Sequence, residues 1–148
     1  MAKRILVPLD QSALAESVIP VVADAARGGA ATVRLLHVAP EPDNRVDPEG
    51  RVVAYADQEL ARLEAEAQDY LRTAGLPLAG VAVEYAVRFG EPAKEILLEA
   101  EAFDADLIAV TTAGRSGLSR TVLGSVAEQV FKKSDVPVML YHSRRSKD

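Results

Sequence analysis

The stretch DLIAVTTAGRSGLSRTVLGSV, residues 106–126, joins three features that an anion-binding site requires. Its hydrophobic run LIAV is typical of a buried strand, and a small-residue loop with Gly114 and Gly117 follows it. Gly124-Ser125 then stands just before an amphipathic helix pattern. Glycines let backbone N–H groups approach an anion, and the free N–H groups of a helix N-terminus add partial positive charge. The stretch therefore predicts a nucleotide- or phosphate-binding domain.

Apolar patterns on either side of this stretch predict further strands and helices. Short apolar runs predict five strands, at residues 5–7, 33–38, 81–87, 107–111 and 136–141. Apolar spacings of three and four predict a helix in each interval. The first helix begins at Ser12, is kinked by Pro20 and ends at the glycine pair 28–29. The second begins at the Asp-Pro pair 47–48 and has Val53 on its apolar face.

Two more helices complete the alternation of strands and helices. The third begins at GEP, residues 90–92. The fourth carries an apolar stripe of Val122, Val126, Val130 and Phe131. This alternation predicts an α/β fold, an open five-stranded parallel sheet with helices on both faces.

The last strand is expected at an edge of the sheet, because Pro137 lacks the N–H group that a central strand needs. An apolar edge strand is a liability unless something covers it, and the same strand of a second copy would cover it. We therefore expect a homodimer through this strand, with contacts from Val136, Val138, Met139, Leu140 and Tyr141.

Composition limits the class of protein. A chain of 148 residues has the size of one domain, so we expect residues 1–148 to form a single domain with a frayed tail at 142–148. The net charge of −5 leaves no global basic field to hold nucleic acid. The absence of cysteine excludes disulfides and thiolate sites and fits the cytoplasm, where we expect the protein. No apolar run approaches the length of a membrane span, so no membrane partner is expected.

Ligands in open α/β sheets bind at the carboxyl ends of strands, where the strand order reverses. Asp10 could accept a hydrogen bond from a ribose hydroxyl or a base amino group, or it could help Ser12 to cap the first helix. The backbone of Val38 could meet a base edge, or the residue could simply pack in the core. The segments that end at this crevice are residues 8–10, 37–39 and 111–114.

Other polar residues near the crevice also have two interpretations. Arg115 could pair with a phosphate or be solvated, and Ser125 could donate to an anion or cap its helix. His37 is expected to pack rather than to act in catalysis, and His142 is expected in the tail, away from the crevice. The P-loop, GxGxxG, HExxH and GxSxG signatures are absent from the sequence, so no catalytic residue is predicted.

Five segments resemble the universal stress protein family over nearly the whole chain. They are ILVPLDQS at 5–12, LLHV at 35–38, GEPAKEIL at 90–97, ADLIAVTTAGRSGLSRTVLGSVAEQV at 105–130 and SDVPVMLY at 134–141. The resemblance implies a Rossmann-like, flavodoxin-like sheet and a dimer through the last strand.

The ATP-binding branch of that family carries the motif G-x2-G-x9-G-[ST]. Gly114, nine further residues and Gly124-Ser125 fit its last three positions, whereas Thr111 stands at the first glycine and Ala113 replaces a usual histidine. Thr111 could crowd the ribose or phosphates, or hydrogen-bond to them. The resemblance implies contacts to adenine and ribose from Pro8, Asp10 and Val38, and to ribose and phosphates from Gly114, Gly124, Ser125 and Val126. Thr111, Arg115 and Gly117 complete the predicted nucleotide site.

Three functions follow from these residues. The leading hypothesis is a homodimeric stress-response module that binds ATP, AMP or another adenine nucleotide, with Mg²⁺ carried by the nucleotide, and acts on a regulatory protein partner. The second is a non-nucleotide interaction or chaperone-like dimer, for which Thr111 is the main support. The third is an adenine-nucleotide enzyme, either a slow ATPase with no assigned base or an adenylyl transferase or phosphate-ester hydrolase whose fast turnover would depend on Asp10, His37 or Arg115.

Overall fold

Five parallel strands and the helices that connect them form the main body of the protein. The computed structural model describes residues 3–42, 45–54, 56–112 and 124–142, with 45–46 and 52–54 described by their backbone. The strands are β1 (Arg4–Pro8), β2 (Thr32–Ala39), β3 (Arg45–Val46), β4 (Val52–Ala54), β5 (Ala82–Phe89), β6 (Leu107–Thr111) and β7 (Val138–Tyr141). The helices are α1 (Ala13–Glu16), α2 (Ile19–Gly29), α3 (Ala56–Ala74), α4 (Pro92–Phe103) and α5 (Ser125–Lys133), with a 3₁₀ turn at Leu76–Leu78.

The predicted fold class is confirmed. The main sheet has the order β5-β2-β1-β6-β7, and all its pairs are parallel. The chain moves outward from β1 to β2 and β5, and then returns to build β6 and β7 on the other side of β1. The order therefore reverses between β1 and β6, and this reversal is where an open sheet forms a crevice.

The core consists of two apolar layers, one on each face of the sheet. Successive strand residues point to opposite faces. Ile5 and Val7 of β1 therefore join the layer beneath α1, α2 and α3, whereas Leu6 joins the layer beneath α4 and α5. Ile108 and Val110 of β6 belong to the second layer as well. Right-handed crossovers explain this division, because the two halves of the sheet are wound in opposite directions.

The first predicted helix is broken rather than kinked. Ser12 caps α1 by accepting a hydrogen bond from the Ala15 amide at 3.0 Å, as predicted. The helix stops at Glu16 and restarts as α2, with Pro20 in the first turn. A proline is tolerated there because the N–H group that it lacks would have no partner within the helix. The predicted end is confirmed, since α2 ends at Gly29.

The predicted start of the long helix at Asp47-Pro48 is wrong. An antiparallel hairpin of β3 and β4 occupies this segment, and α3 begins at Ala56. The Asp47 carboxylate accepts from the amides of Glu49 at 3.0 Å and Arg51 at 2.8 Å, so it closes the turn of the hairpin instead of capping a helix. Val53, which was predicted on the helix face, lies in β4.

The C-terminal part of the chain agrees with its predicted place at a sheet edge. β7 is an edge strand, and it begins one residue after Pro137, whose carbonyl accepts from the Ile108 amide at 3.0 Å. In α5, Val130 is fully buried, but Phe131 is 53% exposed, so its assignment to the apolar stripe is wrong. Neighbours along a helix lie about 100° apart, so both cannot point inward equally. Val122 lies outside the described residues.

A network of charged side chains holds the outer strands to α4. Glu99 of α4 is only 6% exposed, and its carboxylate binds Arg34 of β2 and Arg88 of β5, the latter at 2.6 Å. Arg34 also contacts Glu84 at 2.6 Å, and Arg88 contacts Glu95 at 3.1 Å. Glu99 therefore joins two strands and one helix through a single carboxylate.

Glu99→Gln should lower the free energy of unfolding by about 2 kcal/mol, because two half-buried guanidinium groups lose a charged partner and keep one each. Urea denaturation followed by circular dichroism measures this change. Glu101→Gln, an exposed substitution on the same helix, is the matched control and should stay within about 0.5 kcal/mol of wild type. Equal stability of the two variants would show that the network contributes nothing to the fold.

Candidate functional site

A cavity of about 630 Å³ opens where the carboxyl ends of β1, β2 and β6 meet the start of α5. The predicted site residues within the described part of the chain all line it: Pro8, Asp10, Val38, Thr111, Gly124, Ser125 and Val126. Gly114, Arg115 and Gly117 lie outside the described residues. The fold thus brings three strand ends and one helix start, distant in sequence, around one space. Whether these residues bind a ligand stays a prediction.

Asp10 has the capping role that was one of its two interpretations. Its carboxylate accepts from the Ser12 amide at 3.1 Å and from the Ser12 hydroxyl at 2.5 Å. The Ser12 hydroxyl oxygen in turn caps α1. Asp10 also lines the cavity, so its position is fixed by the protein before any ligand arrives.

The start of α5 presents backbone N–H groups at the cavity. Gly124 is the N-cap residue, and its extended backbone has φ −60° and ψ 149°. Ser125 is the first helical residue, so the alternative in which its side chain caps the helix is not realised. The first amides of an α-helix have no acceptor within the helix, and they carry part of its dipole. This end of the cavity therefore suits a negatively charged group.

Thr111 and Thr112 form the wall beside α5. Thr111 is 8% exposed at the end of β6, and both threonines line the cavity. The Thr112 carbonyl accepts from the Gly124 amide, which ties the strand to the cap of the helix. The residue that replaces the first motif glycine is therefore inside the wall, and its side chain contributes to the shape of the cavity.

His142 lies near the crevice, contrary to its predicted place in a distant tail. Its Nδ1 atom is 3.1 Å from the Thr112 hydroxyl. The reason is the register of the sheet, because β7 runs parallel to β6 with Tyr141 opposite Thr111. The residues that follow the two strands must then be neighbours. The alternation of strands and helices predicts parallel strands, and from this the proximity of His142 and Thr112 could have been inferred.

A cluster of polar side chains forms the wall beneath α3. His37 is packed, as predicted: Nδ1 is 2.8 Å from the Leu9 carbonyl oxygen, and the ring lies edge-on to Tyr70 with centroids 6.0 Å apart. The Tyr70 hydroxyl donates to Glu16 at 2.6 Å. Burial, and then this hydrogen bond, raise the pKa of Tyr70 well above its usual value.

Sequence analysis missed several members of this wall. Gln11 and Glu66 line the cavity. Tyr70 contacts the lining residue His37, and Glu16 accepts the hydrogen bond of the Tyr70 hydroxyl. Tyr70 belongs to the apolar face of α3 by spacing, and its polar atom finds a partner only in the folded chain. Gln11 has a positive φ of 69°, and this could not be predicted because glutamine, unlike glycine, does not favour such an angle. The remaining lining of the cavity is apolar: Leu9, Ala15, Leu36, Ala39, Pro40, Leu63, Ala67, Pro92, Ile96, Val110 and Ala127.

The described residues contain neither a metal-binding cluster nor a helix that could span a membrane. No group of three or more histidine, aspartate or glutamate side chains in the described ranges could hold a metal ion. Within the same ranges, no helix has the length and apolar character needed to cross a membrane.

Comparison with known proteins agrees with the fold. Residues 1–142 match the family model described as the Universal stress protein family. The chain is 31% identical to universal stress protein MJ0577 of Methanocaldococcus jannaschii, over 99% of this chain and 98% of that protein. The solved structure of MJ0577 superposes with a TM-score of 0.80 over 97% of this chain and 98% of that one.

Two further similarities are shorter or more distant. Universal stress protein MJ0531 of the same archaeon is 46% identical over 61 residues, which are 41% of this chain and 36% of that protein. The universal stress protein of Archaeoglobus fulgidus in complex with dAMP is 25% identical and has a TM-score of 0.59 over 93% of this chain and 96% of that one.

Tyr70→Phe should make the stability less sensitive to alkaline pH. In the unfolded chain a tyrosine ionises near pH 10, whereas the folded protein keeps Tyr70 protonated. The unfolded state therefore binds fewer protons above about pH 10, and the stability of the wild type falls as the pH rises further. Urea titrations at a series of pH values from about 8 to 11 measure this dependence.

In the Tyr70→Phe variant the free energy of unfolding should decrease less between about pH 8 and 11 than in the wild type. The control is Tyr85→Phe, a substitution against the same core layer, which should keep the wild-type decrease. Superimposable pH profiles for wild type and Tyr70→Phe would contradict the assignment.

Proposed function

Because this chain belongs to the universal stress protein family, we propose that it binds ATP or a related adenine nucleotide in this cavity and acts as a homodimeric regulatory module in the cytoplasm. One observation carries the proposal: seven sequence-predicted contact residues line a single cavity of about 630 Å³. That volume lies within the range of about 300–1,000 Å³ that small-molecule sites occupy.

The two ends of the cavity suit the two ends of a nucleotide. The free N–H groups at the start of α5 donate hydrogen bonds to the phosphates, and the cap residue Gly124 has no side chain to obstruct them. Asp10 accepts a hydrogen bond from a ribose hydroxyl. The base lies between apolar residues such as Ile96 and Leu36, beside the backbone of Val38. Mg²⁺ enters with the nucleotide, because such sites hold it chiefly through phosphate oxygens.

The relative in complex with dAMP supports the choice of an adenine nucleotide. The segment with Gly114, Arg115 and Gly117 is part of the same proposal through the motif that the sequence carries. We assign no catalytic residue, and the nucleotide acts in this proposal as a regulatory ligand.

A second candidate function is that of an interaction dimer that binds no nucleotide. Thr111 is the observation in its favour, because a buried threonine occupies the wall where the nucleotide-binding motif has its first glycine. Mass spectrometry of the small molecules released from freshly purified, denatured protein separates the two candidates. Stoichiometric adenine nucleotide supports the leading proposal, and empty protein with no calorimetric response to ATP supports the second.

The proposed dimer uses the open side of β7. The Ile108 and Thr112 amides bind the carbonyls of Pro137 and Tyr141, so odd-numbered residues of β7 face β6. By alternation along the strand, the amides of Val138 and Leu140 face outward. These outward groups are available to pair with the same strand of a second copy.

Gly124→Val should abolish stabilisation by ATP. A ligand at 100 times its Kd adds about 2.7 kcal/mol to the free energy of unfolding, and a branched side chain at the cap would obstruct the phosphates. The shift in melting temperature with added ATP and Mg²⁺ is the measurement. Gly28→Val is the control, because an added Cβ at this exposed glycine meets no atom within 4 Å, and the ATP shift should persist. A full ATP shift in folded Gly124→Val would place the nucleotide elsewhere.

Leu140→Pro should convert the dimer into a folded monomer, because it removes an outward amide and leaves the ladder to β6 intact. Sedimentation equilibrium measures the oligomeric state. Val87→Pro in β5, at the other edge of the sheet, is the matched control and should remain dimeric. The Gly90 amide binds the Ala39 carbonyl of β2, so by alternation the amide of Val87 also faces outward. A wild-type monomer, or a Leu140→Pro variant that is still dimeric, would contradict the proposed interface.

A further inference from the structure

Gln11 has a backbone conformation that its residue type disfavours. Among the described residues other than glycine, Gln11, Ala30 and Asp104 have positive φ angles, of 69°, 53° and 58°. Ala30 and Asp104 directly follow α2 and α4, where a left-handed residue is the usual way to end a helix. Gln11 follows a strand and lines the cavity. A glycine would adopt this conformation without the steric cost, so the glutamine side chain needs another explanation.

The residues on either side of Gln11 hold it in this conformation. The Asp10 carboxylate accepts from the Ser12 amide at 3.1 Å and from the Ser12 hydroxyl at 2.5 Å, which closes a turn across Gln11. Before this turn the Leu9 amide binds the Leu36 carbonyl of β2 at 2.8 Å, and after it Ser12 caps α1. The side chain of Gln11 therefore starts from a position that does not depend on a ligand.

His37 fixes the direction of the Gln11 amide. The Leu9 carbonyl can only accept, so the Nδ1 atom of His37, 2.8 Å away, carries the hydrogen. In the neutral ring Nε2 is then an acceptor, and the side-chain nitrogen of Gln11 lies 3.5 Å from it. With its NH₂ group directed at the ring, the Gln11 amide directs its carbonyl oxygen away from the histidine.

We propose that Gln11, oriented by His37, is a specificity-determining residue that accepts a hydrogen bond from an exocyclic amino group of the ligand. The inference rests on the proposed function, in which Asp10 binds the ribose and the start of α5 binds the phosphates, and it adds a side chain that recognises the amino group of the base. A fixed carbonyl oxygen attracts the amino group of a 6-aminopurine and repels the carbonyl of a 6-oxopurine. The side chain thus selects adenine over hypoxanthine.

Calorimetric titration with ATP and with ITP tests the inference. The two bases differ in the 6-substituent and in the hydrogen that N1 carries in the 6-oxo form, and because the difference at N1 is common to every variant, the change in the affinity ratio between variants reports on Gln11. The wild type should bind ATP more tightly than ITP. In Gln11→Gly the ratio of the two affinities should fall by about fivefold, the usual value of one hydrogen bond, while the melting temperature rises because the backbone strain is removed. A purely structural role for Gln11 would change stability without changing this ratio.

Two further variants complete the experiment. His37→Phe keeps an aromatic ring against Tyr70 but lets the amide turn, so the ratio should fall with Gln11 still in place. Gln58→Met, at an exposed glutamine of α3, should leave the ratio unchanged. Binding of both nucleotides with a ratio that Gln11→Gly does not alter would overturn this inference and leave the proposed function intact. A wild type that binds neither nucleotide would overturn both.

Discussion

The parallel arrangement of the main sheet is the constraint on which the rest of the molecule depends. Parallel strands bring all their carboxyl ends to one edge, and the connecting helices must cover both faces. Along the chain, the strands on one side of β1 come before those on the other side, so the helices divide into two layers. The cavity lies where these layers separate, at the ends of β1 and β6. The position of the candidate site thus follows from the strand order of the sheet.

Much of this arrangement could be predicted from the sequence, because apolar residues repeat with a different spacing in strands and in helices. The ends of β1, β2 and β6 supply most of the candidate site, and a residue that directly follows a buried run is easy to place. The errors fall where local signals compete. Asp47-Pro48 favours a helix start and a turn almost equally, and here the turn of a hairpin forms. Phe131 follows a buried valine, and apolar character alone could not decide which of the two points inward.

The wall beneath α3 could not have been predicted in the same way. Tyr70 and Glu16 are 54 residues apart, and Gln11 and His37 are 26 apart. Their contacts depend on how α3 packs against the first strand loop, which no local pattern encodes. These side chains nevertheless form hydrogen bonds without a ligand, since the Tyr70 hydroxyl donates to Glu16 and the His37 ring binds the Leu9 carbonyl. The same holds for Glu99 and its two arginines, which serve the fold at the outer half of the sheet.

The two edges of the main sheet differ in a way that limits how copies can assemble. β5 carries Glu84 and Arg88, both held in ion pairs, whereas the four residues of β7 are uncharged. A sheet whose two edges were both apolar and extended could add copies at each side and grow into a fibre. Here a pair formed through β7 has β5 at both of its outer edges. In the proposed dimer such a pair has two-fold symmetry and is closed, so pairing through β7 would not lead to a polymer.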